Sequence, residues 1–314
     1  MTMETPVIFL GCECGNRIYV KREDLYPCSL GGNKARIAER YFDEIGAGGY
    51  DSVVTYGGRS SSLCRVVADM AARRGLQCVT VMHDEGPDGS VDGERILLAG
   101  ARRVICSAAQ VPETIDATLE RLRREGRRPY FIPGGGRGLP GTRSYVACYR
   151  EILAYERREA AAFDFIFLPS GTGTTQSGLV CGQLRYGGGE KIVGISIARN
   201  AARGRDVIVQ NARAYFAAEG AAIPDEAIER AVVFEDAYTG GGYGRGDYSG
   251  TTAAVRKKYG LLLDNTYTAK AFYGMSEYLE SRRISGRTVL FLYTGCARRY
   301  PAGCEGCRSG TGVD

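Results

Sequence analysis

The sequence predicts an α/β fold in which mostly parallel sheets are covered by helices. Three observations carry that expectation. Apolar runs of strand length recur along the chain, and helical patterns lie between most of them, as parallel sheets require for their crossovers. The run Phe165-Ile166-Phe167-Leu168 leads directly into Ser170-Gly171-Thr172-Gly173-Thr174-Thr175-Gln176-Ser177-Gly178, a strand that ends in a glycine/hydroxyl turn and opens a helix. The length of 314 residues allows a large buried core and suits two α/β domains.

Taken in order, the first helix opens at Gly31-Gly32-Asn33-Lys34-Ala35-Arg36, where Ile37, Tyr41, Phe42 and Ile45 recur at helical spacing. Strand-like runs follow at residues 52–56, 77–82, 103–106, 130–132, 165–168, 191–197, 232–234 and 288–293. Between the first two runs, Ser61 and Ser62 mark a helix N-terminus, since serine is a common N-cap. Residues 112–124 read as a helix with Ile115, Leu119 and Leu122 on one face. The Gly/Tyr-rich stretch 238–250 is the clearest long loop, and loops of that kind often carry function. No sustained internal repeat is present.

Composition narrows the class. Hydrophobic residues make up 44% and charged residues 25%, ordinary for a soluble globular enzyme. The net charge of +5 is mild, and Arg121, Arg123, Arg124, Arg127 and Arg128 read as a solvated helix surface, not a nucleic-acid interface. No apolar stretch reaches the length of a membrane span, and the first residues lack a secretory signal, so a cytoplasmic protein is expected. The eleven cysteines are an odd count, and Cys78, Cys106 and Cys181 lie in apolar segments, which favours reduced thiols over a disulfide framework. Cys12 and Cys14 near the start, and Cys304 and Cys307 near the end with Cys296 close by, could hold a zinc ion if the termini met. That spacing is irregular, and unremarkable thiols are the expectation, with no metal. His83 is the only histidine and has no Cys or carboxylate partner at ligand spacing, so a structural role is expected.

Two segments carry chemistry. The turn from Ser170 to Gly178 lets backbone N–H groups and hydroxyls converge at a helix N-terminus, where the dipole favours negative charge, and so reads as a phosphate cradle. It lacks both the lysine of a P-loop and the glycine spacing of a dinucleotide fold. Lys34, at a Gly-Gly turn into a helix, is either a solvated surface charge or a Schiff-base lysine held near a cofactor and kept partly neutral by desolvation.

Five blocks then occur in order: KREDL with GGNKAR (21–36), YGGRSSSLCR (56–65), SGTGTTQSG (170–178), LLLDNTYTAKAFYGM (261–275) and VLFLYTG (289–295). On these the chain resembles the fold-type II pyridoxal-phosphate enzymes (tryptophan synthase β-like), in particular the family of 1-aminocyclopropane-1-carboxylate deaminase and D-cysteine desulfhydrase. The resemblance runs from about residue 5 to about residue 301. It implies a small domain, 46–156, inserted into a large one made of 1–45 plus 157–314, with pyridoxal 5'-phosphate between them. It also implies a homodimer and a small amino-acid substrate.

Carried over residue by residue, the resemblance implies that Lys34 holds the cofactor and moves the α-proton, and that Gly171, Thr172, Gly173, Thr174 and Thr175 bind the phosphate. Tyr267 stacks on the cofactor face. Ser61 is the active-site serine and a candidate proton shuttle, and the N–H groups of Ser61, Ser62 and Leu63 receive the substrate carboxylate. Tyr243, in the Gly-rich loop, matches a tyrosine that faces the substrate. Thr268 falls where the family places the partner of the pyridine nitrogen. The deaminase has Glu there and the desulfhydrase branch Thr.

A carboxylate keeps the ring nitrogen protonated and deepens the electron sink, as ring opening needs. A hydroxyl does not, which suits a substrate with a good β-leaving group. Thr268 therefore favours β-elimination over cyclopropane opening, with β-replacement as a further alternative. A non-catalytic sulfur-trafficking protein is the alternative from another class, and the retained Lys34 and phosphate loop speak against it. The chain also departs from the pattern. Ser61-Ser62-Leu63 stands where the family has Ser-Asn-His or Ser-Asn-Gln, so Ser62 replaces the Asn that bonds the cofactor's phenolic oxygen, and Leu63 suggests an altered substrate pocket.

Overall fold

The computed structural model describes residues 4–83 and 91–295. The first half of the chain runs β1 (Val7–Glu13), β2 (Asn16–Arg22), α1 (Asn33–Ala47), β3 (Ser52–Gly58), α2 (Ser62–Arg73), β4 (Gln77–His83), α3 (Val91–Leu98), β5 (Arg102–Cys106), α4 (Val111–Arg124), β6 (Pro129–Ile132) and α5 (Leu139–Glu159). The second half runs β7 (Phe165–Ser170), α6 (Thr174–Tyr186), β8 (Lys191–Ser196), α7 (Ala201–Ala218), α8 (Asp225–Ala231), β9 (Val233–Glu235), α9 (Ser249–Tyr259), α10 (Thr268–Ser281) and β10 (Thr288–Tyr293).

Two sheets result. The larger has the order β1-β2-β10-β7-β8-β9 and the smaller β5-β4-β3-β6. Every pairing is parallel except β1 with β2. Strands β7, β8 and β10 are buried almost throughout, as continuous apolar runs covered on both faces should be. All eight apolar runs of the sequence fall on β3 to β10. The β1–β2 hairpin was not among them, for a physical reason. Strand β1 is a part-exposed edge whose register shifts between Phe9 and Gly11, so it shows neither clean alternation nor a solid apolar run.

Helices α5 and α6 lie unusually close. A Cβ on Gly178 would come within 2.3 Å of Tyr145 Cβ, and one on Gly182 within 2.5 Å of Tyr149 Cβ. Two glycines one helical turn apart thus form the groove that α5 fills. The four strands of the smaller sheet all lie between residues 52 and 132, whereas α5 packs on α6 and α1.

Beneath α1 sits a buried ionic cluster. Arg36 pairs with Glu23 (2.7 Å) and Glu151 (2.6 Å), and Lys21 pairs with Glu151 (2.8 Å). Tyr145 Oη donates to Glu23 at 2.9 Å. Burial pushes the Glu23 carboxyl up, but the Arg36 and Lys21 charges outweigh it and hold the group at about 2. Cys148 completes a Glu23, Cys148, Glu151 grouping of metal-ligand type, whose carboxylates these two cations already neutralise.

Among the described residues, eight cysteines are free thiols. Cys78 and Cys181 are buried, Cys106 is half-buried, and Cys12 on β1 and Cys14 in the turn after it are exposed. Cys296, Cys304 and Cys307 lie outside the described residues. No described helix is long and apolar enough to cross a membrane.

Candidate active site

The chain enters α1 through a tight reversal. Ser29, Leu30, Gly31 and Gly32 all have positive φ, from 44° to 91°. At Gly31 only glycine fits, because a Cβ would sit 1.9 Å from the Asp24 carbonyl oxygen. Asn33 N–H donates to Thr294 O at 2.9 Å, which ties this turn to the end of β10. Lys34 follows, half-buried, and its Nζ donates to Gly135 O at 2.8 Å. Desolvation lowers the Lys34 ammonium from 10.5 to about 8, so a sizeable fraction is the neutral, nucleophilic amine near physiological pH.

The partner of Lys34 belongs to a turn, Gly134–Gly136, that follows β6. Gly135 has φ 74°, and a Cβ there would strike the Thr172 side chain at 2.3 Å. A Cβ on Gly136 would meet Ile37 of α1 at 2.3 Å and Leu63 of α2 at 3.8 Å. One glycine turn therefore touches the lysine, the phosphate loop and the serine helix. Nothing in the sequence reading singled it out, although three successive glycines after a strand were the available signal.

The loop itself caps α6, with Gly173 at the N-cap in a left-handed conformation. Thr172 Oγ1 and Thr174 Oγ1 lie 3.4 Å apart, and Asn33 Nδ2 donates to Thr175 Oγ1 at 3.2 Å, joining α1 to α6. Ser170 is buried at the start of the loop, and its Oγ has no hydrogen-bond partner among the described residues. A phosphate, which offers only acceptors at neutral pH, fits this place. It would meet helix-start N–H groups, two threonine hydroxyls and an orphaned serine hydroxyl.

Ser61 caps α2, its Oγ accepting from Cys64 N–H at 3.3 Å. Its own N–H is engaged by Gly58 O at 2.9 Å, which leaves the N–H groups of Ser62 and Leu63 at the helix start for an anion. The Leu63 side chain is 1% exposed and packs in the core, so what Leu63 offers a ligand is its N–H.

The last part of the site comes from α10. Tyr267 precedes its first residue, and the ring edge lies 4.0 Å from where a Gly171 Cβ would be, beside the phosphate loop. Tyr243 Oη and Tyr267 Oη are 2.9 Å apart, with the rings nearly perpendicular. Thr268 is fully buried. Its hydroxyl donates to Asp264 Oδ2 and accepts from Asp264 N–H, both at 2.8 Å. Asp264 also accepts from the N–H groups of Thr266, Tyr267 and Thr268, so one carboxylate fixes the whole α10 entrance. The sequence reading missed Asp264, although an Asp ahead of a helix is a signal for an Asx turn, in which the carboxylate accepts from the N–H two residues on. His83 ends β4 opposite Gly58, with Nε2 3.3 Å from where a Gly58 Cβ would be and its ring 6.0 Å from that of Tyr56.

Comparison with known proteins identifies the family. The model of the family described as "Pyridoxal-phosphate dependent enzyme" matches residues 3–295. A D-cysteine desulfhydrase of Yersinia pestis (strain Pestoides F) is 32% identical over 295 residues, covering 90% of this chain and 87% of the relative. A 1-aminocyclopropane-1-carboxylate deaminase of Ralstonia nicotianae is 31% identical over 307 residues, covering 92% and 90%. The crystal structure of an ACC deaminase homologue superposes with a TM-score of 0.84 at 28% identity, covering 93% of this chain and 89% of the other. With Lys34 and Thr172 meeting at one glycine turn, Tyr267 beside Gly171, and this family match over nearly the whole chain, the protein belongs to the pyridoxal-phosphate dependent enzymes.

Proposed function

We propose that this enzyme is a lyase that eliminates the β-substituent of a small amino acid, in the manner of a D-cysteine desulfhydrase. The observation that carries the reading is the Gly134–Gly136 turn, which holds the Lys34 amine beside the phosphate loop and the α2 entrance. One relative supports the reading through its name, a D-cysteine desulfhydrase, and another, a 1-aminocyclopropane-1-carboxylate deaminase, names the ring-opening alternative. Thr268, where a deaminase of the family carries Glu, favours elimination over ring opening.

Pyridoxal phosphate, when bound, supplies an electron sink that makes an amino acid's α-proton removable. Lys34 takes that proton, its depressed ammonium being deprotonated readily near neutrality. Ser170, Thr172 and Thr174 hold the phosphate together with the N-terminal N–H groups of α6. The Ser62 and Leu63 N–H groups orient the substrate carboxylate, and Ser61 shuttles a proton. Tyr267 covers the cofactor face, and Tyr243 closes the substrate side through its hydroxyl contact. For cysteine, the Cα–H and Cβ–S bonds break, sulfur leaves with the bonding pair, and uptake of water gives sulfide, ammonia and pyruvate.

The smaller sheet and its helices form the inserted domain, 46–156, on this reading, with the cofactor between it and the larger sheet, although α5 at the end of that span packs on α1 and α6 of the larger unit. A cytoplasmic homodimer completes the proposal, the free thiols among the described residues suiting a reducing compartment.

The test adds D-cysteine, L-cysteine, β-chloroalanine and the cyclopropane amino acid in turn to the cofactor-loaded enzyme and measures pyruvate or other 2-oxo acid. Pyruvate from a β-substituted amino acid and no 2-oxo acid from the cyclopropane is the expected result. Lys34→Ala should lower turnover by roughly a thousandfold or more and abolish the visible absorption of the loaded protein. A 2-oxo acid from the cyclopropane alone would replace elimination by ring opening.

A further inference from the structure

The chain contains only six lysines against thirty-five arginines. Lys191, Lys257 and Lys258 are exposed, Lys21 belongs to the ionic cluster and Lys34 to the site. Lys270, the sixth, is fully buried on the first turn of α10, three residues after Tyr267. Among the described residues it has no carboxylate partner. Its Nζ donates instead to three carbonyl oxygens: Ile197 at 3.0 Å, Thr239 at 2.6 Å and Gly242 at 2.9 Å. The Tyr248 ring lies 5.6 Å from the same ammonium.

An ammonium has three N–H donors, and here each finds its own acceptor, so the buried charge is fully hydrogen-bonded. A planar guanidinium could not converge on this carbonyl triangle, which accounts for lysine in an arginine-rich chain. Ile197 directly follows β8, whereas Thr239 and Gly242 lie in the Gly/Tyr-rich loop. That loop is closed at its base by Tyr248, whose Oη donates to Tyr238 O at 2.7 Å, and by Asn265, which donates to Gly246 O at 2.9 Å. The next residue after Gly242 is Tyr243, 56% exposed, whose hydroxyl meets Tyr267.

We infer that Lys270 is a positioning residue, an internal cation that clamps the loop carrying Tyr243 onto α10 and thereby seats Tyr243 against Tyr267. Without the ammonium, three inward-facing carbonyls would repel one another and the loop would lose its link to β8 and α10. The inference rests on the reading of Tyr243 and Tyr267 as active-site residues, and its primary readout does not depend on turnover.

The experiment compares Lys270→Met with the parent holoenzyme by hydrogen exchange of peptides spanning 238–248, in sodium chloride, ammonium chloride and tetramethylammonium chloride at equal ionic strength. Loop amides of the variant should exchange at least about tenfold faster in sodium. Ammonium, which can refill the carbonyl cage, should restore most of the protection, and tetramethylammonium, which has no N–H, should not. In the catalytic assay, substrate KM should rise more than kcat falls while cofactor affinity is unchanged. Tyr243→Phe should then add little to Lys270→Met, because the hydroxyl is already unseated.

Parent-like loop exchange in Lys270→Met, or loosening that ammonium cannot reverse, would overturn the clamp. If Lys270→Met does not fold in any salt, Lys270→Arg decides. It keeps the charge but not the fit, so faster exchange confined to 238–248 supports the clamp and parent-like exchange overturns it. Failure of the elimination reading would show differently, as absent 2-oxo acid with the exchange pattern intact.

Discussion

At the scale of single residues, the site depends on where charge is tolerated. Lys34 is a cation placed where a cation is disfavoured, its ammonium lowered from 10.5 to about 8 by desolvation. The consequence for stability has a definite sign. Below about pH 8 the lysine is protonated in both folded and unfolded states, and the folded state bears the whole desolvation cost. Between about 8 and 10.5 the folded state binds fewer protons than the unfolded one, so stability rises with pH across that window. Lys34→Met should therefore stabilise the cofactor-free protein at pH 7 by on the order of 2 kcal/mol, after the lost bond to Gly135 O is counted. The advantage should shrink as pH rises towards 10.5. Urea unfolding of the two cofactor-free proteins at pH 7 and pH 10 measures it, and a destabilised variant at pH 7 would show that the amine is not strained by burial.

At the scale of elements, the Gly134–Gly136 turn makes a site out of three separate helix entrances. Gly135→Ala meets two penalties, a positive φ of 74° and a Cβ 2.3 Å from Thr172. Gly126 offers the matching control. Its φ is 77°, but nothing lies within 4 Å of its Cβ position. Both alanine variants should lose about 1–2 kcal/mol to backbone strain, and only Gly135→Ala should also weaken cofactor binding, by about tenfold or more. Cofactor titration followed by fluorescence separates the two. Equal binding by both variants would remove the turn from the site.

The same turn shows where sequence reading stops. Strands β3 to β10 were legible because burial on both faces writes itself as apolar runs, and the loop from Ser170 to Gly178 because its chemistry is contiguous. Gly135 and Lys34 are 101 residues apart, and no local pattern announces that one carbonyl will meet one amine. Lys270 was invisible for the opposite reason, since a lone lysine on a helix reads as a surface charge. Ser61 illustrates a subtler limit. Its capping role was readable, but the capture of its N–H by Gly58 O depends on the fold of the preceding turn.

At the scale of the whole molecule, the elements that present Lys34 must hold together from underneath. That is the role of the buried cluster, which links the start of the chain, β2, α1 and α5. Thr5 Oγ1 donates to Glu23 Oε1 at 2.5 Å, Lys21 Nζ donates to Thr5 O at 3.2 Å, and Arg36 bridges Glu23 and Glu151. Two cations and two carboxylates balance, so the cluster is neutral only as a set. Removing one partner leaves a buried charge uncompensated, which costs about 3–5 kcal/mol, more than the net worth of the intact pair. Glu23→Gln should destabilise the enzyme by that amount at pH 7 and loosen α1, and with it Lys34.

Acid dependence gives a second, independent signature. Against burial, the Arg36 and Lys21 charges hold the Glu23 carboxyl at about 2, below its ordinary 4.5. Its contribution is therefore complete above about pH 4.5 and is lost as pH falls towards 2. The parent should lose stability through that acid window, and Glu23→Gln should start lower and lose less across it. Thermal unfolding from pH 7 down to pH 2.5 follows both curves. Parallel curves would mean that the cluster is held by packing alone, and that α1 owes its position to the apolar residues Ile37, Tyr41 and Phe42 instead of to the charges beneath it.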